Sequence, residues 1–356
     1  MKIPLNRPTI TKKDADFLKR SGGNLFRGEP VKRFEEKFAG YIGRKYALAV
    51  NSGTAALHLA LLSLRIGEKD EIILPSYTCV ALLNAINYVK AKPKLTDCNF
   101  DVKKGDFNIS YSDVKAKISS KTKAIIVPHM FGLPAEIDKI ISFKIPVIED
   151  ATQSLGGDYL GKKSGSFGEI SIFSLHHSKM ATTGAGGMLL TDSKELIDRA
   201  RFLADYEFNV IKQRLAEVLN YNVQYNYKMA GLNAVLGLSQ LNQLDEFVKR
   251  RKKLAKIYAG RLKKTAENSL PFRENIFWRY IVKTEKNPKD IIKKALKYGI
   301  ELGRGVYPPL HRYLRIDDKL FPNTGKAVDS LIALPIYPSL EDKEINYLLG
   351  IIEKII

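Results

Sequence analysis

Lys179 lies in the stretch Ser174-Leu-His-His-Ser-Lys179-Met-Ala-Thr-Thr-Gly184-Ala-Gly186-Gly187, about thirty residues after Val147-Ile-Glu-Asp150-Ala-Thr-Gln153. A carboxylate that ends an apolar run, followed by a lysine in a Ser- and Gly-rich turn, suits a pyridoxal phosphate (PLP) site. The lysine can form a Schiff base with the aldehyde. The aspartate can keep the pyridine nitrogen protonated, so that the ring accepts electrons. Asp150 is expected to be poorly solvated, and a buried carboxylate with no partner takes up a proton. A cationic ring nitrogen would keep it ionised. A Schiff-base lysine must itself be partly desolvated, so that its amine is neutral often enough to attack and to carry protons.

Other residues can complete such a site. Ser52-Gly53-Thr54 falls where a strand turns into a helix, and the free N–H groups of the first helical turn, with the Thr54 hydroxyl, can cradle a dianionic phosphate. Ser174 is a further candidate for the phosphate, and Gln153 can reach the same place. Each has a plainer reading too. Ser52 or Thr54 can be an ordinary helix N-cap, Asp150 can cap the next helix, and Gln153 can be a solvated helical residue. The Gly184–Gly187 run permits close backbone approach to a ligand. His176 and His177 are expected to point apart along an extended segment, with no carboxylate spacing that would make a metal site. Neither GxxxxGK[ST] nor GxGxxG occurs, so no nucleotide-binding fingerprint competes.

The elements that must position these residues alternate. Strands are expected at Tyr46–Val50, Glu71–Pro75, Lys94–Asp97, Ala124–Val127, Pro146–Ile148, Ile170–Phe173 and Gly187–Leu190. Helical patterns separate them over Thr54–Leu64, through Leu82 and Ile86, and over Ile137–Ile141. Such alternation means βαβ units and a mostly parallel sheet covered by helices on both faces. Ligands bind beyond the carboxyl ends of such strands, where Asn51 to Thr54, Ser76 to Thr78, Asp97, His129 and Asp150 all fall. A charged helix over Leu241–Lys263 is expected to lead to a smaller domain with a strand at Phe277–Val282, a helix at Asp290–Lys297 and a last helix from Glu341. The division is thus a large cofactor-binding α/β domain, 1–240, and a C-terminal α/β domain with its bridging helix, 241–356.

The 356 residues carry a formal net charge of +20, with 58 Lys+Arg against 38 Asp+Glu. The lysines are spread along the chain, and no zinc-finger spacing or RNA-binding aromatic motif accompanies them. A nucleic-acid binder therefore ranks last among the readings. The two cysteines, Cys79 and Cys98, form no CxxC pair and fit a reducing cytoplasm. The N-terminus lacks the apolar core of a signal peptide, and no apolar run approaches the ~18 residues of a membrane span.

In order along the chain, the following segments resemble the DegT/DnrJ/StrS family of PLP-dependent nucleotide-sugar aminotransferases, of the aspartate-aminotransferase-like superfamily: Gly28-Glu-Pro30, Asn51-Ser-Gly-Thr-Ala-Ala-Leu-His58, Pro128-His-Met-Phe-Gly132, Glu149-Asp-Ala-Thr-Gln153, Phe173-Ser-Leu-His-His-Ser-Lys179, Tyr225-Asn-Tyr-Lys-Met229, Tyr307-Pro-Pro-Leu-His311 and Leu334-Pro-Ile-Tyr-Pro338. The resemblance implies the PLP-transferase fold. It also implies an exchange between PLP and pyridoxamine phosphate, driven by an amino acid donor such as L-glutamate and by a nucleotide-linked keto-sugar. By the same resemblance, Lys179 carries the cofactor and Asp150 pairs with its ring nitrogen. Gln153 contacts the ring hydroxyl region, while Gly53, Thr54 and Ser174 hold the phosphate. Asn226 reaches the phosphate of a neighbouring subunit, which makes a homodimer with shared sites. Tyr77, Tyr307 and His311 are candidates for the substrate side of the cleft.

Three positions depart from the family pattern. Cys79 stands where an aromatic residue usually stacks on the ring, and Tyr77 is the expected compensation. Ala185 replaces a glutamate, and Lys228 replaces an arginine, keeping the charge but losing the planar fork. Two further readings follow. A sugar dehydratase on the same scaffold would carry histidine in place of Lys179. A non-catalytic member would have no need to retain Lys179, Asp150, Gln153 and Ser174 together.

Overall fold

The computed structural model describes residues 1–22, 28–206, 223–262 and 274–356. The apolar runs form β1 (Tyr46–Val50), β2 (Glu71–Pro75), β3 (Lys92–Thr96), β4 (Thr122–Pro128) and β5 (Val147–Asp150). A short hairpin of β6 (Asp158–Tyr159) and β7 (Lys162–Lys163) follows, then β8 (Ile170–Ser174) and β9 (Gly187–Thr191). All but the hairpin join one seven-stranded sheet in the order β1-β9-β8-β5-β4-β2-β3. The β2–β3, β2–β4, β4–β5 and β5–β8 pairs are parallel. Only β9 runs against its neighbours β1 and β8. This is the expected mostly parallel α/β sheet. Strand β3 starts two residues earlier than the sequence suggests, across Pro93. It lies at the sheet edge, where a missing N–H breaks no ladder.

Helices cover both faces. Gly53–Ser63, Val80–Tyr88 and Lys194–Ala204 pack one side around Leu57, Leu61, Ile86 and Ala200. Glu29–Ile42 and Gly231–Arg261 pack the other around Phe34, Phe38, Leu238 and Leu244. The helix expected from Leu241 begins at Gly231; Lys263, its expected end, lies outside the described residues. Its first turns are hidden in the sequence by Gly231 and Gly237, which read as helix breakers. Gly237 has a packing reason: a Cβ there would sit 2.5 Å from the Phe34 ring.

A second, antiparallel sheet of β10 (Tyr280–Lys283), β11 (Gly303–Arg304) and β12 (Leu331–Leu334) is ordered β10-β12-β11. The helices Pro288–Lys297 and Asp342–Ile355 cover it around Ile291, Ile332, Leu348 and Ile352. Ile3, from the other end of the chain, is buried in this same core and bridges to Ile300. The expected division at residue 240 falls inside the Gly231–Arg261 helix. No helix among the described residues is long and apolar enough to cross a membrane.

Gly187 opens β9 against the turn that follows β1. A Cβ at Gly187 would lie 2.3 Å from the Ser52 carbonyl oxygen, whereas one at Gly67 would meet nothing within 4 Å. G187A should therefore lose about 1–3 kcal/mol of stability, with G67A close to wild type. Urea unfolding midpoints of the two variants check this, and an unchanged G187A would contradict the packing described.

Candidate active site

The carboxyl ends of β1, β5 and β8 open onto one cleft of about 410 Å³. Ser52, Gly53, Thr54, Cys79, Asp150, Gln153, Ser174, Lys179, Ala185, Trp278 and Arg279 are among the residues that line it. Strand alternation explains how Asp150 gets there. Glu149 and Asp150 are neighbours on β5, so their side chains leave on opposite faces of the sheet. Glu149 turns to the loop after the hairpin. Asp150 ends the strand in the cleft.

Asp150 is 4 % exposed. It accepts one backbone hydrogen bond, from Thr152 N at 3.1 Å. No described cation lies within ion-pairing distance of it. Burial pushes its pKa up, and the bond from Thr152 and the attraction of Lys179 offset only part of that rise. Lys179 is partly buried. Burial pushes its pKa down, only partly opposed by the pull of Asp150. Both shifts run towards the neutral form, away from each group's ordinary value.

Lys179 is held by the β8–β9 connection. Its N–H donates to the His176 carbonyl at 2.9 Å, and Leu175 N donates to Gly186 O at 2.8 Å. The early turns of the Gly231–Arg261 helix fasten that connection. Asn233 Nδ2 donates to the carbonyls of Thr183 and Ala185 at 2.6 and 3.0 Å, and Gln240 Oε1 accepts from Thr182 N at 3.2 Å. The Lys179 ammonium rests 4.7 Å from the centre of the Trp278 ring. That indole is fixed by donating to the Ser178 carbonyl at 2.9 Å.

At the other end of the cleft, Ser52 is the N-cap of the Gly53–Ser63 helix, accepting from Ala55 N at 3.1 Å. Its capping role and the phosphate cradle are compatible, because the cap uses Ala55 N and leaves the N–H groups of Gly53 and Thr54 for a ligand. A Cβ at Gly53 would fall 2.8 Å from Ser174 Cβ, so only glycine lets the helix start meet the end of β8. The Gly186–Gly187 pair is likewise required by protein packing, against Thr183, Met229 and Ser52.

Gln153 is buried and lines the cleft. Its Oε1 accepts from Phe131 N at 2.9 Å, which leaves its amide NH₂ as the end available to a ligand. Cys79 is exposed in the cleft wall. Asn226 is exposed at its rim, where its carbonyl accepts from Asn51 Nδ2 at 3.2 Å.

Three candidates stand elsewhere. Tyr77 is fully buried, with its hydroxyl accepting from Val306 N at 3.3 Å and its ring edge-on to Phe131. It supports the cleft from behind and does not compensate for Cys79. His311 is also fully buried. It is bonded through Nδ1 to Ser76 Oγ at 2.6 Å and through Nε2 to Asp318 Oδ1 at 2.7 Å, and it stacks on Phe321. Tyr307 is 50 % exposed under the Arg304 guanidinium, in a separate hollow with Lys286, Lys289 and Arg312. The expectation that His176 and His177 point apart also fails. The chain turns there, and the two rings lie 3.8 Å apart.

Trp278 and Arg279 are the cleft residues that the sequence reading missed. They arrive just ahead of β10, where Ile276 N and Arg279 N donate to the carbonyls of Gly132 and Phe131 at 3.0 and 3.3 Å. Gly132, at φ +100°, is required for this docking, since a Cβ there would meet Trp278 N at 2.7 Å. The only tryptophan of the chain beside an arginine was the available signal.

The chain is similar to known proteins over nearly its whole length. The family described as DegT/DnrJ/EryC1/StrS aminotransferase matches residues 11–353. A GDP-perosamine synthase of Escherichia coli O157:H7 is 32 % identical, covering 97 % of this chain and 96 % of its own. A second, from Caulobacter vibrioides, is 32 % identical over 92 % of this chain and 91 % of its own. Among solved structures, the aminotransferase TlmJ of Streptoalloteichus hindustanus superposes with a TM-score of 0.88 at 26 % identity, covering 99 % of this chain and 98 % of its own.

The unpaired Asp150 carries a test in the cofactor-free protein. Its folded-state pKa is raised above that of the unfolded chain, so its charge costs stability that is lost as pH rises through the folded pKa. D150N removes the charge and keeps an acceptor for Thr152 N. Thermal unfolding should show apo D150N more stable than apo wild type at pH 8, with the gap closing towards pH 4. A less stable D150N at pH 8 would mean that the carboxylate has a partner.

Proposed function

Because the chain belongs to the DegT/DnrJ/EryC1/StrS aminotransferase family, whose members use pyridoxal phosphate, we propose that it moves an amino group from an amino acid donor, L-glutamate, to a keto group of a nucleotide-linked sugar. The observation that carries this reading is the buried Asp150 carboxylate, with no ion-paired cation among the described residues, in the same cleft as the desolvated Lys179 amine. The similarity to two GDP-perosamine synthases supports the sugar acceptor. The +20 net charge favours approach of an anionic diphosphate.

The cleft fits pyridoxal phosphate, which supplies an aldehyde and an electron-accepting ring. Asp150 gains the cation it lacks and holds a proton on the ring nitrogen. The N–H groups of Gly53 and Thr54, the Thr54 hydroxyl and Ser174 Oγ take the phosphate at the helix N-terminus. The Gln153 amide donates towards the ring hydroxyl. Cys79 covers less of the ring than an aromatic residue would. Lys179 Nζ, whose pKa is lowered by burial, would take the proton from the donor Cα and deliver it two bonds away, on the carbon that had been the aldehyde.

The reading extends to assembly and division. Asn226 serves the site of a second copy, in a two-fold dimer. Exposed Tyr88, Tyr206, Val223 and Leu232 support an interface near this rim. Residues 1–240 form the cofactor-binding unit. Residues 241–356 form a second unit, which contributes Trp278 and Arg279 to the cleft.

Borohydride reduction of the PLP-loaded protein should fix the pyridoxyl group on Lys179, as read by peptide mass, and L-glutamate alone should discharge the chromophore. K179A should lose roughly 10²–10⁴-fold or more in turnover. An adduct on another lysine would sink the site assignment, and discharge only by other amino acids would sink the choice of donor.

A further inference from the structure

We infer that Arg279 receives the carboxylate of the amino acid donor, an inference that rests on the transamination reading above. An amino acid carries its amine and its carboxylate on one carbon. With the amine delivered to the place of Lys179, the carboxylate must meet a cation beside it. Among the residues lining the cleft are one lysine, Lys179, and one arginine, Arg279, and only the guanidinium keeps its charge while the amine of Lys179 is neutral. Both rest on the same indole, the Lys179 ammonium at 4.7 Å and the Arg279 guanidinium at 4.4 Å from the centre of the Trp278 ring.

Arg279 is held ready for an anion. Its Nη1 donates to the Leu5 carbonyl at 3.4 Å and to Asn6 Oδ1, both in the N-terminal segment. Among the described residues Nε and Nη2 have no hydrogen-bond partner, and no carboxylate pairs with the guanidinium. The Nε–Nη2 edge is the fork that matches a carboxylate with two parallel hydrogen bonds. Burial without a counter-charge lowers its pKa to about 10, and a bound anion relieves that unfavourable state.

Other cations do not serve. Lys228 is engaged by Asp205 Oδ1 at 3.1 Å. Arg251 lies behind Trp278, donating through Nη1 to the Phe277, Trp278 and Ile336 carbonyls. The phosphate cradle at Gly53, Thr54 and Ser174 is built on the ends of β1 and β8. Arg279 is docked instead on the loop after β4, which separates the two anion sites.

The experiment compares wild-type, R279K and R279Q holoenzymes. Discharge of the chromophore is followed with L-alanine and with L-alaninamide, which has the same amine but no carboxylate, and with L-glutamate. Calorimetry measures binding of maleate, an unreactive carboxylate. R279Q should reduce the alanine-to-alaninamide ratio of kcat/KM by roughly 30-fold or more and abolish maleate binding, with R279K between the two proteins. A merely structural loss would lower both amines together and leave the ratio unchanged, which overturns the proposal, as does maleate binding equally to wild type and R279Q. If no amino acid discharges wild type but maleate still needs Arg279, the carboxylate site stands and the donor reading falls.

Discussion

A carboxylate buried at the end of a central strand, hydrogen-bonded by Thr152 N and with no cation at ion-pairing distance among the described residues, is the constraint around which this cleft is arranged. The contrast with its neighbour is informative. Glu149 is as deeply buried as Asp150, and burial alone would raise its pKa. His129 Nε2 at 2.9 Å and the N–H groups of Gly165, Phe167 and Gly168 outweigh burial and bring it below the usual value. The His129 tautomer is fixed, because Nδ1 accepts from Ala135 N. One acid is thus fully satisfied inside the protein and pins a loop. The other is left for a ligand to satisfy. That difference, on adjacent residues of one strand, marks Asp150 as part of a site.

The rest of the structure keeps the second partner, Lys179, opposite that acid. The antiparallel strand β9 returns the chain beside β8 and closes the lysine-bearing connection. Asn233 and Gln240 then fasten it to the long helix, whose far side is itself tied to the N-terminal helix. Asp14, fully buried, accepts from Ser239 Oγ at 2.7 Å and from Gln240 and Gln243, each at 2.9 Å. A lysine in a glycine-rich turn would otherwise be mobile. Here its place is set by side chains from three remote segments.

Much of this was legible in the sequence, for a physical reason. The strands of a parallel sheet are continuous apolar runs, and their carboxyl ends are where polar residues gather. Asp150, Gly53, Thr54, Ser174, Gln153 and Lys179 could therefore be placed at one edge of the sheet from local pattern, and Cys79 joined them through the family resemblance. The early turns of the long helix were not legible, because Gly231 and Gly237 look like breakers until Phe34 is seen packed against Gly237. Tyr77 and His311 failed for the opposite reason. Both lie in segments that read as facing the cleft, yet the fold buries their rings and satisfies their polar atoms with Val306 N, Ser76 and Asp318.

The sequence by itself determined the fold class and the chemical pair of Asp150 and Lys179, because both are written in short-range periodicity and in the types of a few residues, and the order of its motifs carried the family resemblance. Only the tertiary structure decided what faces that pair. Trp278 and Arg279 lie about a hundred residues from Lys179 in the chain. They reach the cleft because Gly132 admits their backbone at van der Waals distance, and no local pattern encodes that approach. Whether a buried charge has a partner is likewise a property of space, since burial and compensation are set by groups remote in sequence.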